Sequence, residues 1–360
     1  MKTLFLSNND VGLYIFRHEL INELLKTSQV FISLPYGDMV SSLTELGCIF
    51  IDTPIDRRGI NPVTDLKLFI QYRNLLRKVK PDLVITYTIK PNVYGGMACR
   101  LAGIPYAANI TGLGTAFQKQ GMLRKLVVTM YKLALKNAKV VFFENCENLE
   151  TLVSEGIVRQ EQCKLLNGAG VNLEHFSPAP YPTDDKPIRF LFMGRVMAEK
   201  GVDELFEAMR RLRADGIDCT LDVLGNFEER YEQEIHDGET EGWLRYHGYQ
   251  KDVRPFIANC HCFVLPSWHE GMANTNLESA AMARPVITSR IHGCMEAVID
   301  GESGFLCEKQ NADSLYNAMK KFCTLPYGLQ QSMGATGRLH MENTFDKVKV
   351  IEATTKGLGL

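Results

Sequence analysis

The segment Ile188-Arg-Phe-Leu-Phe-Met-Gly194-Arg195-Val-Met-Ala-Glu-Lys200-Gly201 indicates the fold class, because it predicts a buried strand, a glycine-containing turn and the start of a helix. Helical spacing continues over Val202–Arg213. The preceding residues, 176–187, contain four prolines and can continue neither a strand nor a helix, which predicts a linker. Strand-like and helical runs alternate on both sides of this linker. The sequence therefore predicts two α/β domains, each with a parallel sheet covered by helices.

The predicted domains are doubly wound and Rossmann-like, and they face a central cleft. Residues 1–178 form the predicted N-terminal domain, residues 179–340 the C-terminal domain, and residues 341–360 a segment that packs back on the N-terminal domain. Ligands of such folds bind beyond the carboxyl ends of the strands. Residues 65–79 are predicted to be a helix with one buried apolar face. That face consists of Leu66, Phe69, Ile70, Tyr72, Leu75, Leu76 and Val79.

Composition is that of an ordinary globular protein. The 360 residues have a formal net charge of −2, with 45% hydrophobic and 23% charged residues, which excludes disordered, collagen-like and coiled-coil chains. No apolar run reaches the ~18 residues of a membrane-spanning helix, and the beginning of the sequence is predicted to be a strand rather than a signal peptide. The ten cysteines have no metal-type spacing, so we expect reduced core thiols in a cytoplasmic protein and no metal site.

Positive charge is concentrated in one part of the N-terminal domain. Residues 83–143 contain no acid and eight basic residues, which indicates an anionic partner. Within them, residues 118–139 combine an apolar stripe with basic side chains, as in a helix that lies on an anionic membrane. The other interpretation is a helix packed on the sheet with a solvated basic face, and it stays open beside the membrane interpretation. The candidate membrane-facing residues are Arg124, Lys125, Lys132 and Lys136.

The turn that follows the strand Ile188–Gly194 is a candidate anion site. Backbone N–H groups and the positive end of a helix meet at such a turn, and Arg195 and Lys200 flank it. A guanidinium fork and a mobile ammonium suit a diphosphate. Both side chains could equally be solvated surface cations. No dinucleotide fingerprint follows the first strand, and the sequence contains neither a Walker A nor an H-E-x-x-H motif.

A pair of glutamates forms the second candidate feature, in Glu270-Gly-Met-Ala-Asn-Thr-Asn-Leu-Glu278. Glu270 is predicted to follow a strand, and Glu278 to lie in the helix that comes next. Such carboxylates can accept hydrogen bonds from sugar and ribose hydroxyls. The other interpretation is a helix with an acid before its first turn and a solvated glutamate later.

Taken together with Gly301-x-x-Gly304-Phe-Leu, these features resemble the donor half of the retaining glycosyltransferases of family 4, which have the GT-B fold. The resemblance implies that Arg195 and Lys200 hold the diphosphate of a nucleotide sugar. It assigns Glu278 to the ribose and Glu270 to the donor sugar. The catalytic candidates are therefore Glu270, Arg195 and Lys200. The backbone of Gly271, Met272 and Ala273 is implied to approach the diphosphate and the sugar.

The N-terminal half resembles one branch of that family, which acts on polyprenyl-diphosphate-linked sugars in bacterial surface-polysaccharide and N-glycan assembly. The resemblance rests on Tyr87-Thr-Ile-Lys-Pro-Asn-Val-Tyr-Gly95 and on Asn109-Ile-Thr-Gly-Leu-Gly-Thr-Ala-Phe117. Residues 11–17 resemble the branch's first strand-to-helix loop, before a helix predicted over Phe16–Leu25, and Gly12 in that loop is implied to approach the donor phosphates. The acceptor candidates are Arg17, Lys90, Asn92 and Thr111.

The resemblance implies a retaining, metal-independent glycosyltransferase. It would move a hexose or N-acetylhexosamine from a UDP-sugar to a lipid-diphosphate-linked sugar. The implied partners are the nucleotide sugar, the polyprenyl-diphosphate acceptor and an anionic membrane surface, with no cofactor and no nucleic acid. The implied location is cytoplasmic and peripheral, on the inner face of the cell membrane. Two alternatives stay open, namely a nucleotide-sugar epimerase of the same architecture and a non-catalytic nucleotide-sugar-binding scaffold subunit.

Overall fold

The computed structural model describes residues 1–56, 59, 61–114, 117, 121–184 and 187–360. The chain divides into two compact units. The N-terminal unit consists of Met1–Ala169 and Val350–Leu360, and the C-terminal unit of Gly170–Lys349. Each unit is a parallel sheet with helices packed on it.

Seven parallel strands form the sheet of the N-terminal unit, in the order β3-β2-β1-β4-β5-β6-β7. The strands are β1 Lys2–Leu6, β2 Gln29–Leu34, β3 Ile49–Asp52, β4 Leu83–Tyr87, β5 Tyr106–Ile110, β6 Val140–Phe143 and β7 Cys163–Leu165. The helices between them are α1 Asp10–Leu25, α2 Val40–Glu45, α3 Pro62–Val79, α4 Gly96–Ala102, α5 Met122–Leu135 and α6 Cys146–Ser154. A single wide helical turn, Pro91–Gly95, leads into α4. The strand order reverses direction between β1 and β4, where doubly wound sheets open a crevice.

The C-terminal unit repeats this plan with six parallel strands, in the order β10-β9-β8-β11-β12-β13. The strands are β8 Ile188–Met193, β9 Cys219–Leu224, β10 Leu244–Gly248, β11 Cys262–Leu265, β12 Val286–Ser289 and β13 Gly304–Cys307. The helices are α7 Val202–Ala214, α8 Glu232–Thr240, α9 Arg254–Asn259, α10 Asn274–Ala281, α11 Ala312–Cys323 and α12 Tyr327–His340. The direction reverses between β8 and β11, so the connections after these two strands meet at the crevice.

The last helix, α13 (Lys347–Leu358), runs from one unit into the other. Its end is fixed to the N-terminal unit, where Leu358 is fully buried in the same core cluster as Phe142. The Lys139 ammonium donates a hydrogen bond to the Leu358 carbonyl at 2.6 Å. Cation–carbonyl contacts of this kind are favourable at helix C-termini because they satisfy the last carbonyls.

Two sequence predictions about helices are wrong. Helix α1 begins at Asp10 rather than at Phe16, because the Asn9 side chain accepts the Gly12 N–H at 2.6 Å and caps the helix there. Residues 11–17 are therefore helical and not a loop. In α3, Leu66 and Ile70 are exposed instead of belonging to the buried face.

Candidate functional site

Two glycines, Gly201 and Gly225, shape the connection between β8 and α7. Gly201 has a φ of +74°, and a Cβ there would lie 2.2 Å from the Pro266 carbonyl oxygen. Likewise a Cβ on Gly225 would lie 1.8 Å from the carbonyl oxygen of Gly194. Glycine is required at these positions, since any larger residue would displace the backbone. The connection therefore lies directly against the residues that follow β11, which brings Lys200 toward Glu270.

Lys200 and Glu270 form an ion pair at the crevice of the C-terminal unit, with Lys200 Nζ donating to Glu270 Oε1. Their side chains are only 16% and 13% exposed. The Ser267 hydroxyl donates to the same carboxylate oxygen at 2.8 Å. Partial burial strengthens this pair relative to a surface salt bridge. The sequence analysis named both residues as candidates for the donor site, and the structure places them in contact.

Arg195 lies at the outer side of the same connection. Its side chain is 53% exposed, and its guanidinium is 3.7 Å from the Glu228 carboxylate. Glu229, the next residue, accepts the Ala198 N–H at 2.8 Å and holds the turn in place. The guanidinium is thus held loosely in solvent, where an incoming anion can reach it.

The segment Ser267–Glu270 is fixed to α7 and to the turn before it. Trp268 Nε1 donates to Glu204 at 3.1 Å, and the Trp268 N–H donates to the Glu199 carbonyl at 3.0 Å. Desolvation raises the pKa of Glu204 above its ordinary value, although Trp268 opposes the shift. These contacts hold Glu270 in the orientation that pairs it with Lys200.

The predicted backbone segment Gly271, Met272 and Ala273 leads into α10. The Ala273 N–H donates to the Gly293 carbonyl at 2.7 Å, so it is used inside the unit. A Cβ on Gly293 would lie 2.7 Å from the carbonyl oxygens of both Glu270 and Gly271. Met272 is buried in the core. The loop around Gly293 is therefore the packing support of this segment, a role that no local sequence signal indicates.

Glu278 lies in the second turn of α10, apart from the Lys200–Glu270 pair. Desolvation raises the pKa of its half-buried carboxyl group from 4.5 to about 7, and the buried Lys347 ammonium opposes this shift. Helix α10 is fixed to the sheet by Asn276, whose amide donates to the Thr288 hydroxyl at 3.0 Å. Sequence reasoning missed Lys347, because no local pattern links it to a residue so far away in the chain.

The N-terminal candidates lie near the carboxyl ends of their strands, and two of them are in ion pairs. Arg17 is buried, with its guanidinium 2.5 Å from Glu144 and 4.9 Å from the centre of the Tyr87 ring. Glu144 directly follows β6. Lys90, after β4, donates to Asp65 at 2.7 Å.

The other three N-terminal candidates are uncharged and form no ion pairs. Asn92 is buried, and its amide oxygen accepts a hydrogen bond from the Thr86 hydroxyl at 2.6 Å, while its amide N–H donates to the Asn109 carbonyl at 2.8 Å. It therefore ties the wide turn to β4 and β5. The Gly12 N–H is occupied by the Asn9 side chain. Thr111 follows β5 and is half-buried.

Helix α5 packs on the sheet through one face and presents basic residues on the other. Its residues Val128, Tyr131 and Leu135 are buried on the face that packs on the sheet. Arg124 is half-buried and paired with Glu155, whereas the remaining three membrane-facing candidates are exposed, namely Lys125, Lys132 and Lys136. Across the described residues, no helix is both long and apolar enough to cross a bilayer.

Two family models match the chain. The model described as "Glycosyl transferases group 1" matches residues 175–340, and the model described as "Glycosyl transferase 4-like" matches residues 2–145. The structure of HepE from Anabaena, solved in complex with UDP and glucose, superposes with a TM-score of 0.81 at 17% identity, covering 100% of this chain and 99% of that one. The fold is therefore GT-B, the class of two-domain glycosyltransferases. The chain is therefore a glycosyltransferase of this fold, with a region of the group 1 type at residues 175–340 and a region of the 4-like type at residues 2–145.

Two curated relatives extend over most of the chain. A Campylobacter jejuni N,N'-diacetylbacillosaminyl-diphospho-undecaprenol alpha-1,3-N-acetylgalactosaminyltransferase is 29% identical, covering 88% of this chain and 87% of its own. An Escherichia coli UDP-Gal:alpha-D-GlcNAc-diphosphoundecaprenol alpha-1,3-galactosyltransferase is also 29% identical, covering 73% and 71%. The family resemblance and the fold predicted from the sequence are thus confirmed.

Proposed function

We propose that this glycosyltransferase moves a hexose or N-acetylhexosamine from a UDP-sugar to a sugar carried on a polyprenyl diphosphate. The observation that carries the proposal is the Lys200–Glu270 pair at the crevice of the C-terminal unit, with Arg195 on the same connection. The names of the two curated relatives support the acceptor class, since both act on a sugar linked to diphospho-undecaprenol.

Donor binding would exchange one ion pair for another. In the structure the Lys200 ammonium is paired with Glu270. A diphosphate carries more negative charge than one carboxylate, so it competes for Lys200 and for the exposed Arg195 guanidinium. Glu270 would then be released to accept hydrogen bonds from hydroxyls of the donor sugar, while Glu278 accepts from the ribose.

The same cations would lower the barrier to transfer. When the bond between the sugar and the β-phosphate breaks, UDP leaves with the electron pair and its negative charge increases. Lys200, Arg195 and the N-terminus of α7 lie at the connection where this charge develops. We propose that these groups stabilise the leaving diphosphate without a metal ion and that the anomeric configuration is retained.

The acceptor would be bound by the N-terminal unit, working at the inner face of a membrane. Arg17 and Lys90 lie at the carboxyl ends of its strands, where a sugar diphosphate would need cations. The exposed Lys125, Lys132 and Lys136 on α5 would attract anionic lipid. We propose on this basis that the protein works at the membrane as a peripheral enzyme.

One assay separates this proposal from its alternatives. The protein is incubated with a panel of UDP-sugars and a lipid extract, and UDP, nucleotide sugars and glycolipids are quantified. Formation of UDP and glycolipid in equal amounts supports the transferase. Conversion of one UDP-sugar into its epimer, or tight binding without turnover, would contradict it.

A further inference from the structure

A histidine and a glutamate form a hydrogen-bonded pair in the connection that follows β12. His292 Nδ1 and Glu296 Oε1 are 2.8 Å apart, and the two side chains are 39% and 28% exposed. Glu296 Oε2 accepts the Gly293 N–H at 2.7 Å. Both oxygens of the carboxylate are therefore used inside this loop, and the carboxylate fixes the imidazole in one orientation.

Backbone hydrogen bonds hold this pair beside the donor segment. The Gly293 carbonyl accepts the Ala273 N–H at 2.7 Å, and a Cβ on Gly293 would lie 2.7 Å from the Glu270 carbonyl oxygen. The backbone of Glu296 is held as well, since its carbonyl oxygen is 2.8 Å from His340 Nε2. Moving the loop away from Glu270 would break these hydrogen bonds, so the pair has a defined place beside the donor site.

Electrostatics also link the pair to the donor site. Cys294, which follows Gly293 in the chain, is fully buried. Burial raises the pKa of its thiol, the charges of Glu270 and Glu296 add to the rise, and Lys200 opposes it. A single thiol is thus within electrostatic reach of both carboxylates. The carboxylate of Glu296, and the histidine that it orients, therefore belong to the same crevice as Glu270.

The order of the strands shows in which direction the crevice continues. The strands lie in the order β9-β8-β11-β12, so the connections after them are neighbours at the carboxyl edge. Arg195 is on the β9 side, where it lies near Glu228. Lys200 and Glu270 meet between β8 and β11, and His292 follows on the β12 side. A donor with its diphosphate at the two cations and its sugar at Glu270 therefore extends toward His292.

The hydrogen-bonding state of the imidazole decides which chemical group it suits. A carboxylate only accepts hydrogen bonds, so Nδ1 of the neutral His292 ring carries the hydrogen that is donated to Glu296. The second ring nitrogen, Nε2, is then a hydrogen-bond acceptor, which suits the O–H group of a sugar. A fully ionised phosphate has no hydrogen to donate and does not match this nitrogen. The ring is therefore suited to the sugar part of a nucleotide sugar.

We propose that His292 binds a hydroxyl group of the donor sugar through Nε2, and that Glu296 is the positioning residue that orients the ring. This rests on the proposed function, in that the donor is a UDP-sugar held at Lys200 and Glu270. The contact makes His292 a specificity-determining residue, because hexoses that lack or reorient this hydroxyl lose the hydrogen bond. It does not involve the UDP part of the donor.

Titration calorimetry on the full chain, with UDP and with the UDP-sugar that the wild type transfers, tests the proposal. We expect His292→Ala to bind the UDP-sugar about threefold to tenfold more weakly, as for one lost hydrogen bond, and to bind UDP as the wild type does. The control is His236→Ala, an exposed histidine on α8, which should change neither affinity. His292→Phe keeps a ring without either nitrogen, so it should show the same loss even if the alanine variant fails to fold.

The role of Glu296 is tested by combining substitutions. Glu296→Gln should weaken binding of the UDP-sugar in the wild-type background and not in the His292→Ala background, because it acts through the imidazole. A purely structural role of Glu296 would give the same loss in both backgrounds, which would contradict the positioning role.

Analogues of the UDP-sugar that each lack one hydroxyl provide a second measurement. The wild type should bind one of them about threefold to tenfold more weakly than the parent, and His292→Ala should bind that analogue and the parent equally. Equal losses of UDP and UDP-sugar affinity in His292→Ala and His292→Phe, or unchanged UDP-sugar affinity in both, would overturn the inference.

The same proteins separate this inference from the proposed function. If the wild type transfers no sugar from any UDP-sugar to a polyprenyl-diphosphate-linked sugar, the proposed function fails. Transfer by the wild type, together with unchanged UDP-sugar affinity in the two His292 variants, overturns the inference alone.

Discussion

The Lys200 ammonium and the Glu270 carboxylate, which lie 70 residues apart in the chain, are hydrogen-bonded at the point where the strand order of the C-terminal sheet reverses. Each comes from the connection that follows one of the two strands flanking this point. Doubly wound sheets bind ligands there because the connections on either side diverge. The pair is a compact, partly desolvated arrangement in which a lysine already holds an anionic group.

Removing either donor-site cation should weaken donor binding. We expect Lys200→Ala and Arg195→Ala each to lose a charge-assisted contact of ~1.5–3 kcal/mol, equivalent to a roughly tenfold to hundredfold loss of UDP-sugar affinity and turnover. Titration calorimetry and initial rates measure this. Arg189→Ala, on the strand that precedes the turn, serves as the control. Wild-type affinity and turnover in either cation variant would mean that the diphosphate binds elsewhere.

The two glutamates should separate by kinetic effect. Glu278→Gln should mainly raise the donor KM, because it removes a charged acceptor from ribose hydroxyls that do not react. Glu270→Gln should mainly lower kcat, because its contact strengthens as charge develops at the sugar. Glu270→Gln also frees Lys200 from its ion pair, so the donor KM should not rise. Similar increases in KM alone for both variants would contradict the role assigned to Glu270.

The raised pKa of Glu278, about 7, predicts a pH-dependent stability of the ligand-free protein. The folded state binds this proton more tightly than the unfolded state, whose pKa is near 4.5. Stability is therefore lost as the pH rises from about 4.5 to about 7. Glu278→Gln should have a higher Tm than the wild type at pH 8 and a nearly equal Tm at pH 4.5, by about 2–4 °C for each kcal/mol of desolvation relieved. Equal Tm differences at both pH values would show that the carboxyl group titrates normally.

Activity should survive chelation. The sequence has no D-x-D-like pair near the donor connections, and Lys200 and Arg195 supply positive charge there. We expect initial rates in EDTA to stay within about twofold of the untreated rate, within which less than ~0.5 kcal/mol of transition-state stabilisation is lost. A complete loss that magnesium or manganese restores would require a metal at the donor site.

The fold could be predicted from the sequence because helical and strand periodicity are local patterns. The linker at residues 176–187 could be predicted from its prolines. Lys200 and Glu270 could also be chosen as candidates from the sequence, since each lies in the connection that follows a strand. The sequence did not predict that Leu66 and Ile70 are exposed, because an apolar residue at helical spacing gives the same pattern whether it faces the core or solvent.

Side-chain contacts that depend on the folded chain could likewise not be predicted from the sequence. Ser267 supports Glu270 from three residues away, but only the folded loop shows the contact. Lys347 acts electrostatically on Glu278, and the helical turn Met341–Phe345 just before α13 packs against α10, a contact that no local pattern encodes. Asn92 resembled a ligand-binding residue, yet its amide is used between β4 and β5, a role that depends on strand register.

The most direct measurement is the mass of a defined lipid-linked acceptor after reaction with an isotopically labelled UDP-sugar. A synthetic polyprenyl-diphosphate sugar is incubated with the wild type and with Lys200→Ala, and the lipid and nucleotide products are analysed by mass spectrometry. We expect the acceptor to gain one labelled sugar residue for each UDP formed, and the variant to be at least about tenfold slower. UDP formation without label on the lipid, or label that stays on the nucleotide, would contradict transfer to a lipid-linked sugar.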